Sequence, residues 1–504
     1  MKLDKIKVLT KDEIEFIHTS TLELIEKIGI KIDDDNTRKL FHEYGAEVDN
    51  KNNFVKIPES LIKEKIKLVP SSFKLFGPDG SYNFEINTNS IHFAPIGAAV
   101  KIFDPSYKNQ IRKSILNDTI KQLRLVDQLD HLSCSQIDFW PGDVKYTTIH
   151  TICIYNWVKN SHKPYGHGCF GRTVSEDSIK MTAIIAGGEE EIIKRPRLFG
   201  IFNPTSPLHL PKIMTNGLEV FAKYKQPTVI APEALAGTSA PVTLAGLLTQ
   251  TNAEILSGIT LSQLYNPKSP VFYGSVSHIT DMRTGNSAIG SIETGLITTG
   301  IAQLAKFYNI PSRALGGVTD SKCLDIQNGI ERFQTLMFAA LSGINFITCA
   351  GTYEATLSGA LELTIIDNEI IGMIKRALKG IDVNDETINL GIIEKVTKSE
   401  MKGANFLSEK HTREFLKKEL FIPQLMDRNR RTTWRKKGNK DLIRLAAEKV
   451  SELLENFNEY KLPEDKDDEL KKYMRSVDKR TYEDYVKLEG ISSTGVTLPN
   501  GKEL

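Results

Sequence analysis

Short apolar runs recur through the middle of the chain at a near-regular interval, and that rhythm restricts the fold more than any other feature. The runs lie at 132–138, 164–170, 197–203, 227–232, 270–275, 311–316 and 344–349, with starts 32, 33, 30, 43, 41 and 33 residues apart. Amphipathic stretches fill the gaps, at 174–188, 211–224, 243–264, 288–308, 325–342 and 360–379. A strand, its crossover helix and two connections need about 30 residues or more. Each interval therefore holds one βα unit, and successive strands run parallel through right-handed crossovers. A further apolar run at 91–103 brings the count to eight, which predicts an α/β chain closed as a (β/α)8 TIM barrel. The rival is an open doubly wound sheet. It normally carries a phosphate-binding glycine loop after its first strand, and none follows 91–103.

The expected organisation is an N-terminal helical cap over 1–90, the barrel over 91–380 and a C-terminal helical extension and tail over 381–504. Thr10 and Glu13 form a capping box. Ile14, Ile17, Leu24, Ile25 and Ile28 then recur at helical spacing, and Gly29 suits the helix end. A second helix is predicted from Asp35 to Tyr44. Residues 405–437 and 440–475 are charged and helical in places, and the final TGVTLPNGKEL is turn-rich, expected to be extended or disordered.

Bulk properties narrow the function. The 504 residues suit a barrel with additions at both ends. A formal net charge of +2 argues against a dedicated nucleic-acid binder. The Arg428–Lys437 run reads instead as a solvated or partner-docking face. No stretch offers 18 uninterrupted apolar residues and the N-terminus has no signal core, so a cytoplasmic location is expected. Five scattered cysteines without Cys-x-x-Cys predict neither a disulfide framework nor an iron–sulfur site. Neither a GxGxxG nor a P-loop is recognised, and a nucleotide cofactor is not expected.

In such a barrel the chemistry gathers where strands run into the following loops. That rule selects Asp138, Phe139 and Trp140, then His167, Cys169 and Phe170, then Asn203 and Pro204, Glu233, Tyr273 with His278, Gly316 and Gly317 with Asp320, and Gly351 with Tyr353 and Glu354. Aromatic rings beside carboxylates suit a cationic ligand, each ring contributing roughly 0.5–2 kcal/mol when water is excluded. The plainer alternative is that strand-end aromatics simply pack the core. Gly316 and Gly317 admit a ligand or a partner's cofactor close to the backbone, or make an ordinary turn. A candidate zinc set is His167, Cys169 and Cys349, the alternative being core packing. No Ser-His-Asp arrangement stands out.

Several long stretches then resemble one family. They are SAPVTLAG (239–246), NAEILSGITLSQLYNPKSPVFYGS (252–275), DMRTGNSAIGSIETGLI (281–297), IPSRALGGVTDSKCLDIQ (310–327), DNEIIGMIKRALKGIDVNDET (367–387) and FLSEKHTREFLKKELFIPQLMDR (406–428). Together they resemble the trimethylamine methyltransferase (MttB-type) family, which includes non-pyrrolysine members such as glycine betaine methyltransferases. The resemblance implies a barrel, oligomeric assembly, no tightly bound cofactor, and methyl transfer to the cob(I)alamin cobalt of a partner corrinoid protein docked over the barrel mouth. Trimethylamine-specific members carry pyrrolysine, whereas AGTYEATLSG (350–359) holds only standard residues, which favours a quaternary amine.

The expected chemistry is a displacement at a methyl carbon with a neutral tertiary amine leaving, so no catalytic acid, base or metal is assigned and positioning carries the rate. Phe139, Trp140, His167, Phe170, Glu233, Tyr273, His278, Arg313, Tyr353 and Glu354 are the expected substrate residues, with Gly316, Gly317 and Asp320 toward the corrinoid. A betaine carboxylate would seek Arg313, His167, His278, Arg283 or Lys322. Rival readings are a zinc-dependent thiol or corrinoid methyltransferase, a non-catalytic methylamine-binding protein, and an enzyme for substrates outside the amines.

Overall fold

A computed structural model describes residues 6–95, 97–107, 109–401 and 403–490. Eight parallel strands form its centre: β1 (His92–Pro95), β2 (Ser135–Gln136), β3 (Tyr165–Gly168), β4 (Leu198–Phe202), β5 (Thr228–Ile230), β6 (Val271–Gly274), β7 (Ser312–Leu315) and β8 (Phe346–Ala350). Each is followed by its crossover helix: α1 (Leu116–Gln128), α2 (Ile149–Asn160), α3 (Gly171–Ala186), α4 (Lys212–Lys223), α5 (Leu244–Tyr265), α6 (Ile292–Phe307), α7 (Ile326–Ser342) and α8 (Leu361–Lys379). The strands pair in the order β1-β8-β7-β6-β5-β4-β3-β2. Ser133 N–H, just ahead of β2, closes the ring by donating to the Phe93 carbonyl of β1 at 2.8 Å. The chain is thus a (β/α)8 barrel, as the spacing of its apolar runs predicts.

The buried residues separate into two layers. Ala94, Phe199, Val229, Phe272, Leu315 and Phe346 belong to the cluster inside the barrel. Tyr165, Ile230, Tyr273, Ala314 and Ile347 belong to the outer cluster between strands and helices. Strands with both faces buried read as continuous apolar runs, which is why the runs are so visible in the sequence. Inside, the Phe346 ring lies 5.4 Å from Phe272 and 5.5 Å from Phe199. A hairpin, Ser72–Phe76 with Asn83–Asn87, adds Leu75 and Ile86 to that cluster and sets Phe73 edge-on to Phe272 at 5.0 Å. This packed floor leaves space only toward the carboxyl ends of the strands.

The N-terminal region is only partly helical, which corrects the expected helical cap. Helix Lys11–Lys27 has the predicted capping box, and Gly29 adopts φ +85° beyond its end. Between the helices lie three-residue strands, Ile30–Ile32, Glu47–Asp49 and Phe54–Lys56, and the first of them also pairs with His209–Leu210. Strands of three residues are too short to show a period, and a partner near residue 209 is invisible locally. The C-terminal region is helical, with Leu442–Glu455, Glu464–Val477 and Tyr482–Glu489 as its last elements. The predicted loose tail, 494–504, lies outside the described residues. Among the described residues no helix is long and apolar enough to cross a membrane.

Candidate active site

A cavity of about 230 Å³ opens at the carboxyl ends of the strands. β3 supplies no side chain to its inner face there. A Cβ on Gly166 would lie 2.3 Å from the Phe199 ring, and one on Gly168 would lie 2.1 Å from the Phe170 ring. The missing side chains make the room for those two rings. Gln136 of β2 and Trp140 beyond it border the cavity, with His167 and Phe170 at β3, Ile201 of β4 and Asn203 beyond it, and Glu233 after β5. Arg313 and Leu315 come from β7 and Cys349 from β8.

The charged pair sets the electrostatics. Arg313 is buried, and its one side-chain hydrogen bond among the described residues is donated to the Ser275 carbonyl at 3.4 Å. Burial lowers its pKa from the ordinary guanidinium value, opposed by nearby Cys349 and Glu233, and the group stays charged. Glu233 reaches solvent yet is surrounded by enough protein that burial raises its carboxyl, with Arg313 pulling the other way. Neither residue has an ion-pair partner among the described residues.

Neutral groups complete the wall. His167 Nδ1–H donates to the Gly168 carbonyl at 2.9 Å, and Nε2 is buried without a partner among the described residues. Burial, aided by the nearby His150, pushes the imidazole down to about 4, so it is neutral at physiological pH. Asp138, within the Gln136–Trp140 segment, accepts from Ser135 Oγ at 3.0 Å, while its Oδ1 is unpartnered among the described residues. Burial pushes that carboxyl up to about 8. Cys349 occupies an irregular stretch of β8 at φ +90°, which turns its thiol into the cavity.

The cavity thus gathers Trp140, His167, Phe170, Glu233 and Arg313 from the expected substrate residues. Five others lie elsewhere. Tyr273 points outward from β6, donates to Asn252 Oδ1 at 2.7 Å and stacks on Tyr308. Phe139 belongs to the outer layer, against Gly359. His278 is locked between Ser287 Oγ at 2.6 Å and the Val276 carbonyl at 2.8 Å. Tyr353 is buried in the outer cluster, and Glu354 binds Ser358 Oγ at 2.5 Å and Lys101 at 3.4 Å.

The residues expected to face the corrinoid also serve other ends. Gly316 abuts Ile347, and Gly317 (φ +80°) gives its carbonyl to Arg332 at 2.7 Å. Arg332 in turn forms a buried pair with Asp367 at 2.6 Å. Asp320 accepts from Gly290 N–H at 3.0 Å and lines a separate surface cavity with Arg283 and Lys322. Arg283 is there paired to Asp281 at 2.8 Å. The zinc set does not assemble either. Cys349 and His167 border the cavity, but the Cys169 sulfur lies on the outer side of the barrel, 2.9 Å from where a Gly200 Cβ would stand and beside Phe221.

Sequence reasoning missed Gln136 and Ile201 and did not count Asn203 among the substrate residues. The signal available was parity: 166 and 168, 201 and 203, and 313 and 315 are i, i+2 pairs at strand ends. A GxGxxG was also overlooked, Gly166–Gly171 at the β3–α3 turn. In a dinucleotide site the phosphate sits on the helix N-terminus. Here the Glu489 carboxylate holds that place, accepting from Arg172 N–H at 2.8 Å and Thr173 N–H at 2.6 Å.

Fold and cavity together define a barrel enzyme whose site is a small pocket bearing one buried cation and one carboxylate. The family model for trimethylamine methyltransferase (MTTB) matches residues 1–483. A glycine betaine methyltransferase from Desulfitobacterium hafniense is 35% identical over 437 residues, covering 86% of this chain and 89% of the relative. Trimethylamine methyltransferase MttB2 from Methanosarcina mazei is 34% identical over 494 residues, covering 94% and 95%. The crystal structure of the Methanosarcina barkeri monomethylamine methyltransferase is similar with a TM-score of 0.45 at 14% identity, over 90% of this chain and 96% of that one. The chain belongs to the trimethylamine methyltransferase family and is a methyltransferase.

Proposed function

We propose that this enzyme takes a methyl group from a carboxylate-bearing quaternary amine, a glycine betaine-like zwitterion, and passes it to Co(I) of a corrinoid held by a partner protein. The tertiary amine is released. One observation carries this reading: Arg313 and Glu233 line the same cavity, and neither has an ion-pair partner among the described residues. Arg313 is the buried member, and an unpaired buried charge is costly. A zwitterion answers both groups at once, its carboxylate on the Arg313 guanidinium and its ammonium near the solvent-reaching Glu233 and the rings of Trp140 and Phe170. The cavity volume of about 230 Å³ suits a small molecule rather than a drug-sized one. The similarity to a protein named glycine betaine methyltransferase supports the same class, as do the standard residues at 350–359.

The chain's own groups bind and orient. Arg313 anchors the carboxylate, which fixes where the N–CH3 bonds lie relative to the cavity mouth. Neutral His167 adds no charge to repel the ammonium. In the displacement the C–N bond breaks, its electron pair stays on nitrogen, and the methyl carbon bonds to cobalt; no proton moves. The corrinoid, a substrate delivered from outside, supplies the nucleophilic electron pair. Positive charge leaves nitrogen in the transition state, so a tight carboxylate–ammonium pair would favour the ground state. The charge of Glu233, partly offset by the nearby Arg313, tempers that attraction.

The test offers purified protein and reduced cob(I)alamin to glycine betaine, carnitine, proline betaine, choline, tetramethylammonium and trimethylamine separately. Methylcob(III)alamin is read by absorbance, with and without a candidate corrinoid protein. Turnover of a betaine and none of trimethylamine is expected. Turnover of trimethylamine in place of betaines overturns the reading.

A further inference from the structure

A second cavity, of about 350 Å³, lies against the first. The two share Ala98, Ile137, Trp140, His167 and Phe170, which form the waist between them. Beyond the waist the wall is mostly apolar, with Ile149 from α2, Val174 from α3, Ile213 from α4 and Tyr485 from helix Tyr482–Glu489. The ionisable groups at its edge are already engaged. His150 Nε2 pairs with Asp177 at 2.9 Å, and Asp177 also takes Tyr473 and Arg480. Glu489 is committed to the N-terminus of α3. Two polar atoms on these walls are unpartnered among the described residues, His167 Nε2 and Tyr485 Oη, and both belong to neutral groups.

No unpaired charge therefore stands ready for a charged ligand, while apolar surface is offered next to the site of reaction. Resting on the betaine reading above, we propose that the substrate's quaternary nitrogen carries an uncharged alkyl arm that passes the Trp140–Phe170 waist into the second cavity. The carboxylate stays on Arg313. The substrate class is then an N-alkyl betaine rather than glycine betaine itself. Tyr485 and Glu489, which close this wall, lie past residue 483, where the family match ends.

Titration calorimetry on the full-length protein tests this without any methyl acceptor. The ligands are N-alkyl-N,N-dimethylglycines from methyl, which is glycine betaine, to butyl. Each buried methylene strengthens binding about fourfold, so the butyl member is expected to bind roughly 60-fold tighter than glycine betaine. Val174→Trp fills the second cavity and brings that ratio close to one; Ile213→Trp does the same from α4 should Val174→Trp not fold. Glycine betaine binding with flat or falling affinity along the series overturns the arm and leaves the betaine reading standing. A ratio unchanged in both filled variants overturns the second cavity as its seat. Absence of binding and of methyl transfer for every member overturns the betaine reading and this inference with it.

Discussion

Arg313 on β7 and Glu233 after β5 line one cavity and feel each other's charge, yet they form no ion pair. A protein that needed the pair for stability would have closed it. Held apart, the two charges are available to a ligand with one charge of each sign.

Arg313→Met removes the carboxylate anchor. Charge-assisted hydrogen bonds contribute about 1.5–3 kcal/mol, so kcat/KM for a betaine should fall roughly 10- to 150-fold. Tetramethylammonium has no carboxylate and should lose far less. Equal losses for both amines would remove Arg313 from the role of anchor.

Glu233 gives the reaction an acid limb. Burial raises its carboxyl, so the negative charge that attracts the ammonium is lost at a higher pH than for an ordinary carboxylate. The pH profile of kcat/KM should decline toward acid with a midpoint above the range of an ordinary glutamate. Glu233→Gln should abolish that limb and lower kcat/KM across the neutral range. A variant that keeps the limb would assign it to another group.

Asp138 links pH to stability. Its carboxyl is pushed up to about 8 in the folded protein, whereas in the unfolded chain it titrates near 4. Between those values the native state holds a proton that the unfolded state has released. Folding therefore weakens as pH rises from about 4 to 8, by up to about 1.4 kcal/mol per pH unit from this group. Asp138→Asn keeps the shape and removes the titration, so its stability relative to wild type should grow toward alkaline pH. Chemical denaturation at pH 5, 7 and 9 checks this, and a constant difference would contradict it.

Glu489 ties the last described helix to the turn carrying Phe170. Glu489→Ala strips the cap from Arg172 and Thr173, a loss of about 0.5–2 kcal/mol. Hydrogen exchange should speed up at those two amides while the barrel strands stay protected. Unchanged exchange there would show that the contact does not hold the helix.

The barrel was legible because each parallel strand is buried on both faces and so writes an unbroken apolar run, separated from the next by a helix of regular length. The cavity was legible only in part. Trp140, His167, Phe170, Glu233 and Arg313 stand at strand ends, and the carboxyl-end rule reaches them. The same rule also selects Tyr273 and Phe139, because in a two-sided strand nothing local separates an inward residue from an outward one. His278, Tyr353 and Glu354 stand past the strand ends, in segments whose own hydrogen bonds occupy them.

The sequence by itself determined the eight βα units, the helix caps such as Thr10–Glu13 and the family, since periodicity, capping and long ordered motifs are local properties of the chain. Tertiary structure alone decided which side of each strand faces inward. Gly274 pairs with Arg313, and Arg313 with Phe346, so closure of the ring places Phe272 and Arg313 inside and Tyr273 outside. It also decided that Cys349 turns inward at an irregular strand end and that Glu489, more than 300 residues away, caps the helix after His167. Ring closure and long-range capping depend on partners distant along the chain, and no local pattern records them.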